Sequence, residues 1–293
     1  MNRTLKATAA LMLMMVFAVG CNKPDEPNNS GNSNDDGNGT ITVPNGAING
    51  KFTINENRSV VYFSKGNLQY QASTRIWRFA DNQYDYLGGN NQNISETNSG
   101  WIDLFGWGTG DNPTNASTEN NDYSNYTEWG SNVISNNGGI VGNFWRTLTL
   151  DEWNYVFRIR NTSSGIHFAL AEVAGVIGVI LLPDNWNRAT YTLFKTDQGG
   201  AGFSENKIDA TDWVNIFEAN GAVFLPASGY RYGISLFVAG SQGWYWSAPS
   251  SGGECSELTF GKSFNGSSFL HLDNYEVHDW TQGNSVRLVC LAE

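Results

Sequence analysis

Between residues 222 and 290 four short apolar runs are set apart by Gly, Ser and Asn turns. Residues 222–225, 244–248, 258–260 and 285–289 have the length of strands and are rich in aromatic and β-branched side chains. None is long enough for a multi-turn helix, so this third of the chain must fold as short strands joined by tight turns. The 33 Gly and the 15% of charged residues extend that reading to the whole chain and point to a turn-rich β or α+β domain. With 11 Trp, 12 Tyr and 16 Phe, the 293 residues can fill the core of one large or two small domains.

The preceding chain supplies the rest of an α+β pattern. Residues 60–64, 67–71 and 75–79 read as strands, and Gln71-Ala72-Ser73-Thr74 as a hairpin connection. Residues 101–108, WIDLFGWG, form an aromatic run suited to core packing. Residues 110–142 are Asn- and Asp-rich without periodicity. Asp111, Glu119, Asp122 and Glu128 carry oxygens that calcium favours, but no D-x-[DN]-x-[DN]-G spacing joins them, so a solvated loop without metal is expected.

Thr149-Leu150-Asp151-Glu152 is a capping box, in which the hydroxyl and carboxylate satisfy the first free N–H groups of a helix. Trp153, Val156, Phe157 and Arg160 follow at helical spacing, which predicts a helix over 150–160 with one buried face. Strands are expected at 166–172 and 176–182 around Ala174-Gly175. A second helix is expected over 210–219, capped by Asp209 or Thr211 and ended by Asn220-Gly221, which tolerate the left-handed conformation.

Residues 1–20 stand apart from the fold. Arg3 and Lys6 precede a short apolar stretch, the order of a secretory signal, and that stretch is too short to span a bilayer comfortably. Ala18-Val19-Gly20-Cys21 resembles a bacterial lipobox, which implies lipidation of Cys21; the alternative is an ordinary cleaved signal with an incidental cysteine. Residues 21–49 are rich in Asn, Gly, Ser, Asp and Pro and read as a disordered tether to a domain at 50–293. Lys23-Pro24-Asp25-Glu26 is similar to the acidic export tag of Bacteroidetes surface lipoproteins, which implies an outward-facing place on the outer membrane. With residues 1–20 removed, 15 basic side chains face 28 acidic ones, a net charge of −13. Phosphate backbones would be repelled, which argues against a nucleic-acid partner.

Two motifs carry a family resemblance. Residues 146–153, RTLTLDEW, are similar to the R-L-P-T-x-x-E-W signature of the formylglycine-generating-enzyme-like group of C-type lectin folds. Residues 243–247 with Ser285-Val286-Arg287-Leu288-Val289 resemble the Y-W-S…V-R end of the Fibrobacter succinogenes major paralogous domain. The resemblance spans about residues 60–290. It implies an α+β, C-type lectin-like domain with short twisted antiparallel strands, two helices and long loops. Relatives in this fold include the variable proteins of diversity-generating retroelements, which display changeable side chains from C-terminal strands and loops.

The matching positions here are Ser256, Glu257, Thr259, Phe264, Asn265, Phe269, His271, Asp273, Asn274, Tyr275, His278 and Trp280, with Tyr230, Arg231 and Trp244 flanking them. Their aromatic, hydroxyl, amide and imidazole groups suit an adaptable binding surface for an extracellular glycan or protein. The alternative is a structural or assembly role in a surface or adhesin complex. Glu152 and Arg287 are expected to be structural, the first as a helix cap and the second paired beneath the surface with a carboxylate or carbonyls.

An enzyme is not expected. Formylglycine-generating enzymes hold copper on a close-spaced cysteine pair, whereas Cys255 and Cys290 lie far apart in sequence and either form a disulfide or sit as two buried thiols. No Gly-x-Ser-x-Gly or His-Glu-x-x-His occurs. His167 is expected to be packed, a zinc site on His271 and His278 would need further ligands at the correct geometry, and Asp273 with Glu276 or Asp279 is read as loop acid rather than a glycosidase pair. No cofactor is expected.

Overall fold

Val173-Ala174-Gly175-Val176 sets the centre of the fold. Ala174 and Gly175 both take positive φ, 51° and 83°, the conformation of a two-residue turn whose twist matches its flanking strands. It joins Phe168–Val173 to Val176–Leu181 in an antiparallel hairpin running from Val173↔Val176 to Phe168↔Leu181. Lys207–Ile208 adds to one side in parallel, and Val223–Pro226 to the other in antiparallel. Both faces of this sheet are covered: Leu170, Val179 and Leu181 enter one apolar cluster, and Ala171, Val173 and Ile180 another. Burying each such Leu, Val or Ile stabilises the fold by roughly 1.5–3 kcal/mol.

The computed structural model describes residues 43–136, 144–249, 255–272 and 280–292. Two short helices cover opposite faces of the central sheet. In the first, Leu150–Asn154, the Thr149 hydroxyl accepts from Glu152 N at 3.2 Å while Glu152 Oε2 accepts from Thr149 N at 2.9 Å, completing the capping box. Arg146 grips the same carboxylate with two bonds of 2.7 Å. The chain continues as a π-helical turn, Tyr155–Ile159, and presents Trp153, Val156 and Phe157 to the sheet. The second helix starts at Asp209, which accepts from Asp212 N, and runs through Ala210–Asp212, Trp213–Phe217 and Glu218–Asn220. It ends at Gly221, φ 83°, where an added Cβ would come within 2.4 Å of Asn49 O. Trp213 and Trp186 each stack on Phe217 over the other face of the sheet.

Four further sheets, all antiparallel, complete the five found among the described residues. Phe52–Thr53, Val60–Phe63, Leu288–Leu291 and Arg146–Thr147 form the first in that order. Ile76–Phe79, Leu68–Gln71 and Trp101–Ile102 form the second. Ser235–Phe237, Tyr230–Tyr232, Gln282–Asn284 and Phe105–Gly106 form the third, and Gln242–Trp246, Glu257–Lys262 and Ser268–His271 the fourth. The whole is mixed and strand-rich with a few short helices, an α+β fold. Among the described residues no helix is long and apolar enough to cross a membrane.

Several details differ from the sequence reading. Residues 43–49, expected in the tether, belong to the fold: Ile48 is buried in the core and its N–H donates to Phe63 O at 2.8 Å, so the domain begins earlier than residue 50. The run 285–289 is not one strand. Ser285 N donates to Trp244 O and Ser285 O accepts from Trp246 N, so the chain leaves the third sheet, touches the fourth, and joins the first only at Leu288. The hairpin of Tyr230–Tyr232 with Ser235–Phe237 and the strand Ser268–His271 were not anticipated. The described part of the Asn-rich segment is anchored rather than simply solvated. Tyr123 and Trp129 are buried, and the Glu128 carboxylate accepts from Tyr126 Oη at 2.9 Å and Thr147 Oγ1 at 2.7 Å. Cys255 and Cys290 are buried as thiols in the aromatic cluster around Trp77, Phe105 and Trp246.

Arg160 and His167 close the end of the first helix. The buried Arg160 guanidinium pairs with Asp184 at 2.6 Å and donates to Val156 O and Leu182 O. His167 sits between Arg160 O, 2.8 Å from Nε2, and Asp197, 3.4 Å from Nδ1. Both neighbours only accept, so protonation of the ring lets it donate to each. The bond to Asp197 raises the His167 pKa above 6.5 against the opposing effect of burial. Burial opposes ionisation of Asp197 too, but the His167 ring and the N–H groups of Phe168 and His167 hold it below the ordinary carboxylate range.

Two outcomes follow from these contacts. Stability from His167 should be complete below its unfolded pKa of 6.5 and disappear as pH rises through its raised folded value. The Asp197 share should persist above its unfolded value of 3.8 and be lost only as pH falls through its lowered folded value. Thermal unfolding of the parent and His167→Gln across pH 5–9 should therefore show the largest gap at the acidic end and convergence at the alkaline end. Thr149→Ala should cost about 1 kcal/mol in denaturant unfolding through loss of the cap.

Candidate functional site

The pairing of the fourth sheet sorts its side chains. Directly opposed residues share a face, and residues two apart along a strand return to it. Gly243↔Phe260↔Leu270 and Tyr245↔Leu258 form the inward rows and pack into the core with Trp153 and Phe168. Gly243 leaves room for the Phe260 ring, which would lie 2.2 Å from a Cβ at that position. The rows Trp244↔Thr259↔His271 and Gln242↔Gly261↔Phe269 therefore face the other way.

A short bridge, Gly229↔Gly243, brings the Tyr230–Tyr232 hairpin beside this sheet. The Tyr230 ring lies 4.9 Å from Trp244 and stacks on Phe237 at 5.3 Å with an 18° interplanar angle. Phe269 and His271 are 5.1 Å apart by ring centroids. Phe237, Tyr230, Trp244, His271 and Phe269 thus form an aromatic surface, exposed or half-buried, with Thr259 between Trp244 and His271. Gln242 borders it and accepts from Trp244 Nε1 at 3.2 Å, which fixes the indole. The surface offers flat rings for stacking and an amide and an imidazole for directional hydrogen bonds.

The expected site residues separate into groups. Phe269 and His271 come together on this face with Tyr230 and Trp244, and Thr259 lies in the same row but is buried, 9% exposed. Phe264 is fully exposed in the turn that follows Lys262. Ser256 and Glu257 are buried, 1% and 6% exposed, because they lie where the fourth sheet meets the third; Glu257 Oε2 accepts from Asn284 Nδ2 at 2.7 Å. Trp280 is half-buried and stacks on Trp107 at 5.7 Å, against the second aromatic cluster. Asp273, Asn274, Tyr275 and His278 lie outside the described residues, as do Glu276 and Asp279.

Arg231 does not flank the face. It is fully buried and donates from Nε to Leu104 O at 2.9 Å, from Nη1 to Gly233 O at 3.1 Å and from Nη2 to Asn115 O at 2.7 Å. Strand alternation explains the split: Tyr230 and Tyr232 point one way, Arg231 the other. Phe237 and Gln242 belong to the face and were missed, although their alternation with Leu236 and Gly243 carried the signal. Among the described residues no three His, Cys, Asp or Glu side chains gather as a metal centre would require.

No family model, curated protein or solved structure matches the chain.

Buried and facing residues should respond differently to substitution. Arg231→Leu leaves three carbonyls without their donor and should cost about 2–4 kcal/mol in denaturant unfolding. His271→Ala, on the exposed end of its row, should stay within about 0.5 kcal/mol of the parent.

Proposed function

We propose that this chain is a C-type lectin-like surface lipoprotein that binds an extracellular glycan or protein through the aromatic face of its fourth sheet. One observation carries the reading: the strand register sets Trp244, Thr259, Phe269 and His271 on the side opposite the core, with Tyr230 and Phe237 continuing the same surface. A fold that needed these rings only for packing would bury them. The lipid at Cys21 and the part of the tether that precedes residue 43 would hold the domain at the outer membrane and leave the face free to meet ligand.

Aromatic rings lose little conformational freedom on binding and present large flat areas to sugar or protein. Gln242 and His271 add directional hydrogen bonds that would set orientation.

The test is binding of the purified chain to glycan arrays and to intact bacterial and host cells, beside a variant with Trp244→Ala, Phe269→Ala and His271→Ala. Binding by the parent alone, with both proteins folded by circular dichroism, is the expected outcome. Equal binding by both would remove the face from the reading. No binding by either would favour the assembly role, with the same rings packed against another surface protein.

A further inference from the structure

Four Asn-Gly pairs lie among the described residues: Asn45-Gly46, Asn49-Gly50, Asn220-Gly221 and Asn265-Gly266. In such a pair the glycine nitrogen can attack the asparagine side-chain amide, because the following residue has no Cβ to block the approach. The structure separates the four. In the first three the asparagine is exposed but the glycine is buried. A Cβ on Gly50 would lie 2.0 Å from Gly221 O, and one on Gly221 would lie 2.4 Å from Asn49 O, so closing a ring at either would have to move packed backbone. Asn220 Nδ2, the group that would leave, also donates to Ile216 O at 2.7 Å. Asn265 and Gly266 are both exposed, at the tip of the hairpin joining Glu257–Lys262 to Ser268–His271. Nothing lies within 4 Å of a Cβ built on Gly266.

The turn also prepares the Asn265 side chain for attack. Its Oδ1 accepts from Ser267 N at 3.0 Å and from Ser267 Oγ at 2.6 Å. A backbone N–H can only donate, which fixes oxygen on that side of the amide and nitrogen on the other. The Ser263 hydroxyl stands 2.5 Å from the same oxygen, its single proton directed there or to Ser267 O at 2.9 Å. Donors on that oxygen draw electrons from Cγ and stabilise the charge that develops as a nucleophile adds. One bond opposes the step: Gly266 N donates to Ser263 O at 2.9 Å. It closes an exposed turn, where local opening costs least. We infer that Asn265-Gly266 is a self-modification site, at which Gly266 N gives its proton to hydroxide, bonds to Asn265 Cγ and expels Nδ2. The departing nitrogen takes a proton from water and leaves as ammonia. Water then opens the cyclic imide at either carbonyl, giving aspartate or isoaspartate. The first product adds a negative charge beside Phe264. The second threads the main chain through the side chain and lengthens the hairpin that carries Phe269 and His271. The inference stands without the binding reading.

The experiment incubates the full chain in heavy-oxygen water, in neutral and in mildly alkaline buffer, and maps its peptides by mass spectrometry. The peptide bearing Asn265 should exchange its amide for an acid and gain one heavy oxygen. It should do so at least about tenfold faster than the peptides bearing Asn45, Asn49 and Asn220, and faster still in the alkaline buffer. Asn265→Gln, whose longer side chain would have to close a larger ring, should stop conversion at this position. Ser263→Ala combined with Ser267→Ala should slow it severalfold, with circular dichroism checking that both variants fold. No conversion at Asn265 in the parent, or conversion no faster than at the other three pairs, would overturn the site. Undiminished conversion in the folded double serine variant would overturn the part given to the two hydroxyls.

Discussion

A guanidinium sealed away from water sits at the junction of the sheets. Arg287 is fully buried, and its described hydrogen bonds go to two amide oxygens, Asn67 Oδ1 at 3.3 Å and Gln83 Oε1 at 2.6 Å, rather than to the carboxylate or backbone carbonyls expected. Burial pushes its pKa down to about 10, yet it remains charged at neutral pH. Such a charge is tolerable only where its surroundings are held in place. Gln83 is held by Glu218 Oε2, Ala222 O and Phe224 N, and Asn67 by Tyr245 Oη. Through these bonds Arg287 ties the second helix, the central sheet and the fourth sheet to the chain entering the first. The V-R pair in the resemblance motif is thus accounted for by architecture.

Around that junction the aromatic residues do two kinds of work. Trp129, Trp145, Trp153, Trp186, Trp213 and Trp246 fill the interior, each fully buried. Tyr230, Phe237, Trp244 and Phe269 stay at the surface because strand alternation turns them away from the same interior. Alternation separates the surface ring of Trp244 from the core ring of Tyr245, whereas Trp246 shares the face of Trp244 and is buried because that end packs into the second aromatic cluster, its Nε1 donating to Phe105 O. Gly243, with Phe260 folded over it, lets the inward row close tightly behind the outward one.

What could be read from the chain was mostly local. The capping box at Thr149, the Asp209 cap, the Gly221 stop and the Ala174-Gly175 turn each have a short-range cause, and each appears where the residues place it. Long-range pairing was less legible. Asn91 accepts from the N–H groups of Asp103 and Leu104 and donates to Gly88 O and the buried Asp103 carboxylate, whose pKa burial pushes up to about 6. Nothing nearby in sequence distinguishes it from the chain's many other asparagines. Thr259 and His271 could be named as surface candidates, but their shared row depends on register across two strands. The burial of Ser256, Glu257 and Arg231 depends on which sheet covers which, a property no single stretch encodes.

The first sheet has a temporal meaning as well. Leu288–Leu291 does not lie at its edge but between Val60–Phe63 and Arg146–Thr147. Two segments separated by more than eighty residues meet only through a strand that is synthesised well after both. The sheet cannot close until Leu288–Leu291 has emerged, and contacts of such long separation make closure slow. Nascent chain would therefore remain open to the machinery that handles unfolded polypeptide until that strand arrives.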